Sequence, residues 1–334
     1  MEQPLSKKFA ANQIDRQTNT TTQAVTTADM VWIPGGTFMM GSDRHYPEEG
    51  PVHRVTVDGF WIDKYPVTNR QFQKFVDETG YVTFPERPLK AEDYPGAKPE
   101  LLVPGSAVFR QPSGPVDLMS CSWWTYLPGA SWKHPEGKGS SIEGREDHPV
   151  VQIAYEDAEA YAAWAGKSLP TEAQWEFAAR GGLEGKIYVW GNTFKPNGKL
   201  MANTWEGEFP WQNLKSHPPG TEPVGSYPPN GYGLYDMAGN VWEWTSDWYR
   251  PRHPEDKIKP CCIPVNPRGG TEQESLDPQT PQFRIPRKVL KGGSFMCAVN
   301  FCFRYRPAAR YPQTIDTSSC HIGFRCAVSL PAQN

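Results

Sequence analysis

Two cysteines, Cys297 and Cys302, stand five positions apart in the segment Lys291-Gly292-Gly293-Ser294-Phe295-Met296-Cys297-Ala298-Val299-Asn300-Phe301-Cys302-Phe303-Arg304-Tyr305-Arg306. Two thiolates from one short loop can converge on a soft metal ion, and Cu(I) is the redox ion that such ligands select. The glycine pair ahead of them lets the backbone turn tightly or approach another group closely. The same spacing also suits a disulfide or two inert core thiols, since free cysteine is often simply buried. A nucleophilic cysteine needs a lowered pKa. Lys291, Arg304 and Arg306 are candidate electropositive neighbours, whereas only the distant His321 could serve as a base.

A second stretch, Pro228 to Trp244, carries Asp236 and Glu243 on a glycine-containing loop. Carboxylates with intervening backbone carbonyls suit a hard cation such as Ca2+, which takes six to eight oxygens. The alternative is that both acids cap turns and pair with arginines. A third group is Arg304, Arg306 and Arg310, interleaved with aromatic rings. Such arginines can hold a peptide's carboxylates and carbonyls, or tie loops together where regular structure is scarce.

The bulk numbers limit what surrounds these groups. The chain has 334 residues, a length for one large domain or two ordinary ones. It is 38% hydrophobic and 13% aromatic, with 30 glycines and 34 prolines. That mixture suits a loop-rich fold with large rings filling the gaps, not a helix bundle. Mean hydropathy is −0.63, and no apolar run approaches the roughly 20 residues of a membrane span. A net charge of −3 gives no global basic field for nucleic acid or anionic lipid. The seven cysteines are an odd count, and Met1 to Met30 lacks an apolar secretory core. A reducing, cytoplasmic context with mostly unpaired thiols is the expectation.

Residues 1–29 are poor in large apolar groups and read as a disordered tail, leaving 30–334 as one domain. Short strands are predicted at Val31–Ile33, Phe38–Ser42, Val52–Val57, by its alternation, and Phe60–Ile62. Capping boxes at Thr68-Asn69-Arg70-Gln71 and Thr171-Glu172-Ala173-Gln174 open helices to about Glu78 and Ala179. Another helix is predicted over Tyr155–Ala165. Residues 84–147 read as long irregular structure packed by Trp123, Trp124 and Trp132. The word at Val31–Met39 echoes Val289–Met296, which suggests the two ends of the chain meet in one sheet. No P-loop, dinucleotide fingerprint, nucleophile elbow or zinc motif appears, and no two histidines lie four apart.

Taken together, several words form a recognisable series: Pro34-Gly35-Gly36-Thr37-Phe38-Met39-Met40-Gly41-Ser42, Pro66-Val67-Thr68-Asn69, Leu169-Pro170-Thr171-Glu172-Ala173-Gln174-Trp175-Glu176, Gly239-Asn240-Val241-Trp242-Glu243-Trp244, Gly292-Gly293-Ser294 and Gly323-Phe324-Arg325. The series resembles the formylglycine-generating enzyme (sulfatase-modifying factor) family over about residues 31 to 330. The resemblance implies one α+β domain of low regular structure, related to a duplicated C-type-lectin-like fold. It implies an oxidase that converts the cysteine of a Cys-x-Pro-x-Arg segment in a nascent or unfolded sulfatase to Cα-formylglycine, using O2 and a thiol reductant.

Within that resemblance Cys297 and Cys302 match the Cu(I) pair and Ser294 a serine lining the active site. Arg310 matches an arginine of the substrate groove, and Trp242 an aromatic wall of the oxygen pocket. Asp236, Gly239, Val241 and Glu243 match one calcium site, and Asn203 and Thr204 begin another. The sequence also departs from the family. Phe301 replaces the usual tyrosine, and His321 an asparagine that contacts substrate in some members. Asn213 to Pro219 lacks the acid that would finish the Asn203 site. Ala179 leaves Cys326 without the disulfide partner of secretory members. Two rival readings are an iron-dependent sulfoxide synthase and a non-catalytic peptide- or ligand-binding module on the same scaffold.

Overall fold

Alternation at His53–Val57 buries His53, Val55 and Val57 and exposes Arg54, as a half-buried strand requires. This is one of eleven strands in a computed structural model that describes residues 27–254 and 263–329. The strands are short and fall into four small sheets. β1 (Met30–Ile33), β4 (Phe60–Asp63) and β11 (Ala327–Ser329) form an antiparallel sheet in the order β1-β4-β11. β2 (Gly36–Met40) pairs with β3 (His53–Val57), and β5 (Gly105–Phe109) with β6 (Trp124–Pro128). The fourth sheet runs β10-β7-β8-β9, built from Ile322–Gly323, Trp242–Trp248, Arg287–Lys291 and Tyr311–Thr314, with only the β10–β7 pair parallel. This is the α+β arrangement of low regular structure expected from sequence.

All three predicted helices form. α1 (Asn69–Thr79) opens on a reciprocal box: Gln71 N–H donates to Thr68 Oγ1 at 3.3 Å, and Thr68 N–H to Gln71 Oε1 at 2.9 Å. α2 spans Tyr155–Trp164, and α3 (Glu172–Arg180) is closed by Gly181 in the left-handed region. Every residue of α3 is buried, because β2, β3, β7 and β8 all pack on it. Its acids are therefore matched by buried bases. Burial alone would raise Glu176, but Lys291 Nζ at 3.1 Å and Arg180 at 2.6 Å bring it down to about 2. The core is mostly one cluster of aromatic and aliphatic side chains running through Phe60, Phe72, Trp132, Trp175, Trp244 and Phe324.

Two expectations need correction. The echoing words do not share a sheet: β1 meets the C-terminal strand β11 across β4, while β8 lies in the four-stranded sheet. Residues 84–147 are not wholly irregular, since β5 and β6 pair there in register from Gly105↔Pro128 to Phe109↔Trp124. Most of the 1–29 tail, and Cys261 and Cys262, lie outside the described residues.

Asp157, fully buried on α2, holds the loop after α1. It accepts hydrogen bonds from Phe84 N, Tyr81 Oη and Ala154 N at 2.9 to 3.1 Å. Burial outweighs these donors and raises its carboxyl from 3.8 to about 6. The native state therefore holds this proton more tightly than the unfolded chain between those values. Stability contributed by Asp157 falls as pH rises from about 4 to 6, by on the order of 3 kcal/mol. Melting temperature followed across that window should show this component in the parent protein and lose it in Asp157→Asn. Parallel profiles for the two proteins would refute the assignment.

Candidate active site

β8 delivers the chain to Gly292 and Gly293, both at positive φ (91° and 69°). A Cβ on Gly293 would come within 3.0 Å of the Tyr305 backbone, so only glycine lets the loop double back there. The turn is then held by Cys297 N–H to the Ser294 carbonyl and Cys302 N–H to the Ala298 carbonyl, both 2.9 Å. These bonds bring the Cys297 and Cys302 Sγ atoms to 3.0 Å. A disulfide is about 2.05 Å long, and both residues are free thiols, as are Cys121, Cys320 and Cys326.

The two thiols are inequivalent. Cys297 is 1% exposed, and burial together with its contact to Cys302 pushes it far up. Cys302 receives the Cys297 S–H, and with Arg304 nearby this outweighs burial and lowers it to about 7. Cys302 is thus the thiol of the pair that ionises first, while Cys297 keeps its proton. The Arg304 guanidinium sits 3.8 Å over the Tyr46 ring and donates to Glu48 Oε1 at 2.8 Å, while Phe303 N–H donates to Tyr46 Oη at 3.1 Å. Tyr46 and Glu48 escaped the sequence reading because they are more than 250 residues from Arg304. The acidic word Tyr46-Pro47-Glu48-Glu49 was the available signal, since Glu49 likewise holds Arg306 through Nη1 at 2.7 Å.

Ser294 Oγ lies 3.3 Å from His321 Nδ1. Burial lowers His321 to about 3, so this imidazole is neutral at ordinary pH. Its ring meets Trp124 edge-on at 5.0 Å, and its carbonyl accepts from Trp242 N–H at 2.8 Å. Phe301, 38% exposed, stacks on Phe209 at 4.5 Å and meets Trp123 edge-on at 5.2 Å. The fold therefore gathers Cys297, Cys302, Ser294, His321 and Phe301 around one loop, whereas Trp242 reaches it only through its backbone and turns its ring to Tyr311 at 5.7 Å. Arg310 does not join them. It is 1% exposed and spends its donors on Glu172 (2.7 and 2.8 Å) and on the carbonyls of Arg250 and Glu48. It ties α3 to two loops, and with Glu172 and Arg250 it borders a separate pocket beside Met40 and His53.

A two-thiol loop could serve many chemistries, so kinship decides between them. The family described as Sulfatase-modifying factor enzyme 1-like domain matches residues 16–330. The chain belongs to this family. Formylglycine-generating enzyme of Mycobacterium tuberculosis is 52% identical, covering 89% of this chain and 97% of its own. Inactive C-alpha-formylglycine-generating enzyme 2 of Mus musculus is 38% identical over 90% and 85%. PvdO of Pseudomonas aeruginosa, 23% identical, shares the fold with a TM-score of 0.59 over 90% and 94%.

The metals that membership implies can be tested against the residues present. The thiol pair fits a soft monovalent ion: two sulfurs already converge, and Cys302 ionises readily. The Asp236 loop fits a hard cation in part. Asp236, left-handed at φ 55°, accepts only Gly225 N–H among the described hydrogen bonds, and burial raises it to about 6. Glu243 is committed elsewhere, with Arg325 on both oxygens and Trp175 Nε1 on one. Three of about four lone-pair directions are filled. Gly239 and Val241 lie between these acids and could offer carbonyls. At Asn203 and Thr204 the fit fails, because the Lys215 ammonium lies 2.5 Å from Asn203 Oδ1.

Proposed function

We propose that this protein is a formylglycine-generating oxidase, converting the cysteine of a Cys-x-Pro-x-Arg segment to Cα-formylglycine and so activating sulfatases. The observation that carries the reading is the free thiol pair at 3.0 Å in the loop after Gly292-Gly293, in a chain 52% identical to a relative bearing that name. A relative named inactive shares the scaffold, so it is the pair and not the fold on which the reading rests.

Cys297 and Cys302 would hold copper(I), which when bound supplies the one-electron chemistry that couples thiol oxidation to O2. The chain's own groups do the rest. Cys302 is the readier of the two to give up its proton, so it would offer a thiolate first, and Cys297 would have to lose its own proton to join it. Arg304, fixed by Tyr46 and Glu48, keeps negative charge favourable beside Cys302. Ser294 Oγ, next to neutral His321, can donate to or accept from a group seated against Cys297. Phe301, next to Cys302 in the chain, stacks with Phe209 and Trp123 into an apolar surface beside the loop.

In the overall change, the substrate side chain, a methylene bearing a thiol, gives up two hydrogens to become a thioaldehyde. These, with two from a thiol reductant, reduce O2 to two waters. Water then replaces sulfur at carbon, releasing hydrogen sulfide and leaving the aldehyde. The substrate is an extended, unfolded sulfatase segment, because a cysteine in a folded core could not reach this loop. A cytoplasmic setting is in keeping with five unpaired cysteines, and no described helix is long and apolar enough to cross a membrane.

The test is mass spectrometry of a synthetic Cys-x-Pro-x-Arg peptide incubated with the protein, Cu(I), a thiol reductant and air. The expected product has the mass of an aldehyde in place of the thiol and is trapped by a hydrazine. An unchanged peptide, with copper loading confirmed separately, would move the binding-module reading to the front.

A further inference from the structure

Around Asn203 the side chains form a closed polar junction. Asn203 and Asn240 are each 1% exposed. Asn203 Nδ2 donates to the Gly220 carbonyl at 3.0 Å and to Asn240 Oδ1 at 3.1 Å. Asn240 Oδ1 also accepts from Glu222 N–H at 3.0 Å, and its Nδ2 donates to the Glu222 carbonyl at 3.1 Å. Two acceptors then point at one place, Asn203 Oδ1 and Glu222 Oε1. The Lys215 ammonium fills it, at 2.5 Å and 2.8 Å, with its side chain 9% exposed. Tyr227 Oη and His217 Nε2 each approach the same Glu222 oxygen at 3.3 Å.

An amide oxygen and a carboxylate oxygen converging on a buried point are what a hard cation needs, and family membership implies calcium here. The residues present do not fit it. A second cation would sit against the ammonium, and Lys215 offers donors only. We propose that Lys215 is a built-in replacement for calcium at this junction: its side chain supplies the positive charge that a divalent ion would otherwise bring. The arrangement bears on the active site through the backbone. Trp205 N–H donates to the Cys297 carbonyl at 3.0 Å, and Phe295 N–H to the Asn240 carbonyl at 3.1 Å. The junction therefore fixes two supports of the cysteine loop without a bound ion.

The experiment is calcium titration by calorimetry, with melting temperature read in calcium and in chelator, on the parent protein, Lys215→Asp and Lys215→Met. Asp236→Asn is included in each background to remove the other candidate site. With Asp236 replaced, the parent should bind no calcium and melt at the same temperature in chelator. Lys215→Asp should bind one ion more than its parent and melt higher in calcium than in chelator. Lys215→Met, leaving Glu222 without its ammonium partner, should melt lower by roughly 5–10 °C in either condition. Calcium binding by the Asp236→Asn protein that Lys215→Met leaves unchanged would overturn the proposal. So would equal melting of Lys215→Met and parent. If Lys215→Asp does not fold, the parent's own stoichiometry and the Lys215→Met melt still decide. None of these readouts depends on oxidase activity.

Discussion

Cys302→Ser and Cys297→Ser should each reduce conversion of a Cys-x-Pro-x-Arg peptide to background while leaving the melting temperature within a few degrees of the parent. Sulfur is the group that selects a soft ion, and a hydroxyl in its place is both hard and protonated at neutral pH. The two cysteines should differ in one respect. Cys302 carries the lowered pKa and lies toward the surface, whereas Cys297 is buried and bound to Ser294 at its backbone. The parent should react with a small thiol-alkylating reagent first at Cys302, in competition with exposed Cys121, and Cys297→Ala, which removes the donor altogether, should slow that reaction because Cys302 loses the hydrogen bond that stabilises its thiolate. Activity surviving in either serine variant would refute the copper pair. Faster alkylation at Cys297 would refute the division of labour.

The second large effect lies away from the cysteines. Arg325 is fully buried and binds both oxygens of Glu243 at 2.7 and 2.8 Å. Its remaining donors go to the Asp63, Lys64 and Tyr235 carbonyls. One side chain thus joins the end of β4, the Asp236 loop and the first turn of β7. Removing one member of a buried pair leaves the other charged in a dry interior, at a cost of about 3–5 kcal/mol. Arg325→Met should lower the melting temperature by about 10 °C and expose the chain to proteolysis. Arg325→Met combined with Glu243→Gln should recover part of the loss, since no unpaired charge remains. A double variant no better than the single one would mean that the carbonyl bonds, and not the ion pair, carry the stability.

Local signals were legible in the residues and distant ones were not. The helices over 69–79 and 172–180 follow from capping boxes whose two hydrogen bonds lie within four residues. The cysteine pair, Ser294 and the glycine turn share one word, so their convergence could be anticipated. The β5–β6 pair could not, because Gly105–Phe109 and Trp124–Pro128 lack alternation and sit among prolines and glycines. The ion pair of Arg310 was not legible, because its partner Glu172 lies 138 residues away. An arginine beside a catalytic loop reads the same whether it faces substrate or a buried acid. Lys215 shows the same limit: the sequence showed an acid missing from Asn213 to Pro219, but only the fold shows an ammonium in its place.

The sheet that joins β1, β4 and β11 sets an order of events during synthesis. β4 is its central strand, and one flank is supplied by Ala327–Ser329. Phe60 and Ile62, both 0% exposed, therefore keep an open edge until that late strand has left the ribosome. Arg325, which neutralises Glu243, arrives just as late. The cysteine loop is made before its supports are complete, so reactive thiols and an unpaired strand edge coexist in the growing chain. A chain stopped before Arg325 and β11 would therefore lack both the third strand of this sheet and the base that neutralises Glu243.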